Sequence, residues 1–115
     1  MGYRSILHPE IFKNRTIIVT GGGSGIGRCT AHEVASLGAN TILIGRNKEK
    51  LERVQQEITE DGGLAHYYSC DIRNEADVIE LITTIVSAHG DIHGLVNNAG
   101  GQFPSPLEKI SKNGS

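Results

Sequence analysis

A β-branched run, Thr16-Ile17-Ile18-Val19-Thr20, passes directly into Gly21-Gly22-Gly23-Ser24-Gly25-Ile26-Gly27, and an amphipathic stretch follows at once. Few features constrain a chain more. The run has the character of a strand buried on both faces of a parallel sheet, and so many glycines together permit only a tight turn. The following stretch reads as a helix with Ile26, Thr30, Val34 and Leu37 facing inward, stopped by Gly38 in the C-cap position.

The pattern repeats along the chain. Thr41-Ile42-Leu43-Ile44 is a second strand, and Asn47 caps a second helix whose Leu51, Val54 and Ile58 share a face before Gly62-Gly63 end it. His66-Tyr67-Tyr68-Ser69-Cys70 is the third strand. Val78, Leu81, Ile82, Ile85 and Val86 then mark a third helix, with Asn74 as N-cap and Gly90 as stop, and Leu95-Val96 begins strand four. Strands alternating with helices of this length imply right-handed crossovers into one parallel sheet. The expectation is an α/β fold of Rossmann type, a parallel sheet with helices on both faces, truncated after about strand four. Residues 101–106 read as a loop, and Leu107-Glu108-Lys109-Ile110 as the beginning of a further helix. The whole chain, residues 1–115, reads as the N-terminal part of a single domain of this type.

Bulk properties remove other classes. The 115 residues carry a formal charge of only -2, which argues against a nucleic-acid partner. No apolar run approaches the roughly 18 residues a membrane helix requires. Met1 to Leu7 lacks the apolar core of a secretory signal, so the expected location is cytoplasmic. Cys29 and Cys70 form no CxxC pair and are expected to be free, largely buried thiols. His32-Glu33 is followed by Ser36 where a zinc helix needs its second histidine, and Gly90-Asp91 separates His89 from His93, so these read as loop histidines and no metal site is assigned.

A glycine turn between strand and helix is the setting a phosphate-binding loop needs. One glycine permits the turn, another lets backbone approach a pyrophosphate, and Gly27 allows close packing, while unpaired N–H groups at the helix start meet the anion. The spacing, with Gly21, Gly25 and Gly27, departs from the usual G-x-G-x-x-G. Thr20-Gly21-x-x-x-Gly25-Ile26-Gly27, Asp71 after strand three, and Asn97-Asn98-Ala99-Gly100 after strand four together resemble the signature of the classical short-chain dehydrogenases/reductases. The resemblance covers about Thr16 to Gly100.

That resemblance implies a nicotinamide cofactor held by Gly21, Ser24, Gly25, Ile26 and Gly27. Asp71 would accept from the adenine amino group with Ile72 against the ring, and Asn98, Ala99 and Gly100 would line the ribose and nicotinamide side. Each has a plainer reading as well: Asp71 as a cap on the turn into the third helix, Asn97 and Asn98 as partners of backbone at the strand end, with Asn97 favoured for that role. An NAD site places a carboxylate at the end of strand two, whereas this chain has Gly45-Arg46 there. Arg46 suits the 2'-phosphate of NADP(H), so NADP(H) is expected over NAD(H); otherwise Arg46 is a solvated loop residue. Some relatives carry a second basic residue in the glycine loop, where this chain has Ser24.

The family's general acid/base is a tyrosine followed four residues later by lysine. Tyr3, Tyr67 and Tyr68 are followed at that distance by Leu7, Asp71 and Ile72, so no catalytic residue is assigned. The expectation is an oxidoreductase family member without its catalytic half, acting in the longer protein on a small molecule, with full-length relatives usually homo-oligomeric. The alternative is a non-catalytic nucleotide-binding module or inactive fragment. A sheet ending at strand four would leave an open edge. Asn97 to Phe103 with Ser105-Pro106 resembles the loop of the peroxisomal trans-2-enoyl-CoA reductase branch and of bacterial relatives acting on fatty acyl or terpenoid alcohol substrates.

Overall fold

The computed structural model describes residues 10–23 and 25–98. Ser24, Ala99, Gly100, the loop after them and the expected helix at Leu107 lie outside the described residues. Four strands, β1 (Thr16–Thr20), β2 (Asn40–Gly45), β3 (Leu64–Ser69) and β4 (Gly94–Asn97), alternate with three helices, α1 (Gly25–Ser36), α2 (Lys48–Glu60) and α3 (Glu75–His89). The sheet is parallel throughout, in the order β3-β2-β1-β4. β1 and β2 are therefore interior strands, as their continuous apolar character requires.

Alternation along these strands sends neighbouring side chains to opposite faces, and both faces are covered. Val19 and Leu43 pack with Ala31, Val34, Leu51, Val54 and Ile58 from α1 and α2. Ile18, Ile42 and Ile44 pack with Val78, Ile82 and Ile85 from α3. At about 1.5 to 3 kcal/mol for each large side chain removed from water, these two layers supply the main driving force for the sheet. β4 pairs with β1, and its Leu95 and Val96 are only half-buried.

The second and third helices begin as their sequence indicates. The Asn47 side chain accepts from Lys50 N, and the Asn74 side chain accepts from Asp77 N, each satisfying a helix donor that has no partner within the helix. Gly90 ends α3, its N–H donating to Val86 O.

The first helix departs from expectation. Its buried face is Gly27, Ala31, Val34 and Ala35, with Leu37 buried just beyond its end, whereas Ile26 is 77% exposed and Thr30 turns its hydroxyl to Ile26 O. Small residues win because this helix lies close to the sheet: a Cβ on Gly27 would stand 1.8 Å from the Gly21 carbonyl oxygen. A face chosen by side-chain size is rotated about one residue from a face chosen by hydrophobicity.

Other corrections are local. β3 starts at Leu64 and ends before Cys70, although Cys70 N still donates to Gly45 O. Both cysteines are free, but Cys29 is exposed and Cys70 half-buried, because Cys29 lies off the buried face of α1. His89 is a helix residue, in the last turn of α3, and packs half-buried against the His66 ring at 4.5 Å. Its Nε2 lies 3.0 Å from Tyr68 Oη and its Nδ1 3.3 Å from Asn40 Nδ2, and burial lowers its pKa, with the charge of His66 adding to the effect.

An ion pair joins the two helices on one face. Arg28 donates through Nε and Nη2 to both oxygens of Glu57, at 2.9 and 2.8 Å, and His32 Nε2 lies 2.9 Å from Glu57 Oε1. The Arg28 hydrogen bonds hold the Glu57 carboxyl well below its ordinary value, at about 2. Because the folded pKa is depressed, this stabilisation is present above the ordinary carboxylate range and is lost as pH falls toward 2. Glu57→Gln is therefore expected to destabilise the chain by less than about 1 kcal/mol near neutrality, since the pair is partly solvated. The difference in denaturation midpoint from the parent should shrink on acidification, and a pH-independent difference would contradict the assignment.

Gly27→Ala is expected to cost about 3 kcal/mol, because the added methyl meets backbone that cannot yield cheaply. Gly25→Ala is the contrasting case: its methyl meets nothing within 4 Å, but φ is 58°, so the cost is about 1 kcal/mol. Urea titration of both variants against the parent distinguishes them, and equal midpoints would show that the Gly27 contact does not set the position of α1.

Candidate functional site

The carboxyl ends of the four parallel strands carry most of the residues singled out from the sequence. At the end of β1, Gly21 N donates to Ile44 O at 2.8 Å, which ties the glycine turn to the end of β2. Gly27 sits against the Gly21 carbonyl, while the space beside Gly25 is open. The turn is thus packed tightly on its inner side and accessible on its outer side. α1 has no acidic residue in its first turn, whereas α2 has Glu49 and α3 has Glu75 and Asp77. The first turn of α1 thus contributes no carboxylate of its own to the positive end of the helix, which suits an incoming anion. The exposed side chain of Ile26 belongs to this rim rather than to the core.

Thr20, fully buried at the end of β1, is a hydrogen-bonding node that sequence reasoning passed over. Its hydroxyl donates to Asn97 Oδ1 at 2.8 Å and accepts from Asn98 N at 3.1 Å, so one side chain joins the ends of β1 and β4. A threonine directly before the first glycine was the available signal. Asn97, favoured as a partner of backbone at the strand end, instead accepts from the Thr20 hydroxyl through its side-chain oxygen. Asn98 is held by its backbone, and its buried Nδ2 has no hydrogen-bond partner among the described residues. An orphaned amide donor here suits a polar acceptor arriving at this edge of the sheet.

The ends of β2 and β3 form a groove of about 640 Å³, lined by Arg46, Tyr68, Ser69, Cys70 and Asp71 together with residues of α3. Arg46 is exposed, and its side chain makes no hydrogen bond or ion pair among the described residues. Its backbone is held nonetheless: Ser69 Oγ donates to Arg46 O at 3.2 Å.

Asp71 makes the turn contacts of its plainer reading. Its Oδ1 accepts from Arg73 N and Nε, and its Oδ2 from Arg73 Nη2, each at 3.0 Å, while its carbonyl accepts from Asn74 N. The side-chain bond from Arg73 is the main reason its carboxyl is lowered to about 2, and the charge of Arg46 acts in the same direction. Asp71 is therefore an anion at neutral pH. Ile72 packs part-buried against the α3 side of the core. Burial, with Asp77 and Asp71 nearby, pushes the Cys70 thiol up, so it stays protonated. Of the other residues expected here, Ser24, Ala99 and Gly100 lie outside the described residues.

Among the described residues, no group of three or more His, Cys, Asp or Glu side chains converges on a point where a metal ion would sit. No helix among them is long and apolar enough to cross a membrane.

Known proteins match this arrangement. Residues 15–114 match the family described as short chain dehydrogenase. A probable 2,4-dienoyl-CoA reductase of Bacillus subtilis is 36% identical over 102 residues, which are 89% of this chain and 40% of that protein. The solved structure of a citronellol catabolism dehydrogenase from Pseudomonas aeruginosa is 57% identical and superposes with a TM-score of 0.83, over 97% of this chain and 46% of that one. A metagenomic short-chain oxidoreductase in complex with NADP is 38% identical, with a TM-score of 0.76 over 78% of this chain and 41% of that one. The chain spans less than half the length of each of these relatives. With a parallel sheet, a glycine turn closed by Gly27, and a match over nearly its whole length, this chain belongs to the short-chain dehydrogenase/reductase family of oxidoreductases.

Proposed function

We propose that residues 1–115 are the N-terminal part of a single cofactor-binding Rossmann domain that prefers NADP(H), within an oxidoreductase acting on a carbonyl, alcohol or enoyl-acyl substrate. The observation that carries the cofactor preference is Arg46: an exposed guanidinium at the end of β2 with no ion-pair contact among the described residues, in one groove with Asp71, whose carboxylate Arg73 already binds. A 2'-phosphate there would meet a cation where an NAD site presents a carboxylate. Gly21, Ser24, Gly25, Ile26 and Gly27 would hold the pyrophosphate. Asp71 keeps acceptor capacity beyond its Arg73 bonds for the adenine amino group, with Ile72 beside the ring. Asn98, through its unpartnered Nδ2, would join Ala99 and Gly100 on the ribose and nicotinamide side.

When bound, the cofactor supplies or accepts hydride. The 115 residues contain no Tyr-x-x-x-Lys sequence, so a general acid/base for that transfer has to come from outside them. The names of the relatives, a dienoyl-CoA reductase and a citronellol catabolism dehydrogenase, support an acyl or terpenoid alcohol substrate for the whole protein. A cytoplasmic setting fits this chemistry. The missing Tyr-x-x-x-Lys also favours a second reading, a nucleotide-binding module without reduction chemistry.

Turnover separates the two readings only in the longer protein. For the purified 115-residue chain, no NADPH consumption is expected with either a dienoyl-CoA or a terpenoid alcohol–aldehyde pair, and a measurable rate would overturn the assignment of chemistry to other residues. Calorimetric titration tests the cofactor preference. Adenosine 2',5'-bisphosphate should bind more tightly than 5'-AMP, and Arg46→Ala should reduce that advantage about tenfold, the effect of one charge-assisted contact of about 1.4 kcal/mol. Equal affinities in the parent chain, or an advantage untouched in Arg46→Ala, would contradict it.

A further inference from the structure

Arg46 does not stand alone beside the glycine turn. The Asn47 cap fixes the first turn of α2 by accepting from Lys50 N at 3.0 Å, and the helix start lies against the turn that follows β1. If Gly23 carried a Cβ, that atom would stand 3.0 Å from the Cβ of Lys50. The stem of Lys50 therefore begins in contact with the glycine turn. No comparable contact places Lys48 there.

Charge adds a second, independent argument. Lys50 is exposed, and its side chain makes no hydrogen bond or ion pair among the described residues. The residues three and four positions further along the helix are Arg53 and Val54, and those three and four before it, Asn47 and Arg46, lie at and before the helix cap, with no carboxylate among the four. Glu49 is adjacent in sequence and points around the helix, and Glu52 is engaged by Tyr67 Oη at 2.8 Å. An exposed lysine with no ion-pair contact among the described residues is available to an external anion. Its flexible stem lets the ammonium reach several ångströms toward Arg46 without backbone movement.

We propose that Lys50 is a specificity-determining residue that, with Arg46, holds the 2'-phosphate of NADP(H) from the α2 side of the glycine turn. The inference rests on the NADP(H) reading above. A phosphate monoester carries a charge of about -1.5 to -2 at neutral pH, enough to balance two cations that otherwise repel each other. The chain would thereby supply from α2 the second positive charge that Ser24 does not provide within the loop.

The test is titration of the parent chain, Lys50→Met and Lys50→Arg with adenosine 2',5'-bisphosphate and with 5'-AMP, Arg46→Ala being run in parallel. Lys50→Met keeps the stem and removes the charge. It should weaken the bisphosphate about fivefold, with 5'-AMP changed by less than about twofold, while Lys50→Arg keeps the parent preference. Added salt should erode the preference more steeply in the parent than in Lys50→Met. Unchanged melting of Lys50→Met shows that the fold is intact, and Lys50→Gln is the substitute if it is not. An unaltered preference in the charge-removed variant, or equal weakening of both nucleotides, overturns the role of Lys50. If Arg46→Ala narrows the preference and Lys50→Met does not, Lys50 alone fails. If the parent binds neither nucleotide, or binds both equally, the NADP(H) reading fails and Lys50 with it.

Discussion

The contact of Gly27 with the Gly21 carbonyl oxygen, too close for any side chain, fixes where α1 leaves the sheet. Two consequences follow from that one approach. The helix can lie near the sheet only if its inner face is small, which is why Ala31 and Ala35 are buried and Ile26 is not. The helix start at Gly25, beyond the end of β1, is left with open space beside it, where a ligand can approach. Packing and binding are here the two sides of a single backbone geometry.

The rest of the strand-end surface is assembled on the same base. Thr20, one residue earlier, joins β4 to β1 through Asn97 and Asn98, and Gly21 N joins the turn to β2 through Ile44 O. Cys70 N continues the pattern from β3 to Gly45 O. The ends of all four strands are therefore tied to one another mainly through backbone groups, the Thr20 hydroxyl and the Asn97 amide. Asp71 has a double position, its carboxylate shaping the turn into α3 and lining the groove.

Most of the fold was legible because its signals are redundant. Apolar runs, Asn47 and Asn74 as caps, and Gly38, Gly62-Gly63 and Gly90 as stops all agree, and the parallel order follows from the alternation of strands and helices. What failed did so where one physical effect displaced another. Hydrophobicity put Ile26 and Thr30 inside α1, but close approach to the sheet selected glycine and alanine. Cys29, read as buried from residue type, sits on the exposed side of that same helix. Gly90 and Asp91 give the sequence around His89 a loop-like character, yet the helix persists to His89 itself. At the site, glycine spacing was visible in one dimension, while the hydroxyl of Thr20 and the approach of Lys50 to Gly23 depend on elements far apart in the chain.

The segment after β2 shows how such a scaffold accommodates different ligands. Its backbone is secured at three successive places: Gly45 O by Cys70 N, Arg46 O by Ser69 Oγ, and Lys50 N by the Asn47 side chain. None of these contacts uses the side chain of Arg46 or Lys50. Replacing either residue therefore alters the charge presented to a ligand while leaving the loop's course intact, which an arrangement built on side-chain ion pairs would not allow. On the proposed reading, cofactor preference is a property of exchangeable groups mounted on a fixed backbone. The hydrogen bonds of the nearby Asp71 carboxylate go to Arg73, with Arg46 acting on it only through its charge. Arg73 thus indirectly keeps Arg46 available, since a carboxylate already satisfied by one guanidinium competes weakly for another.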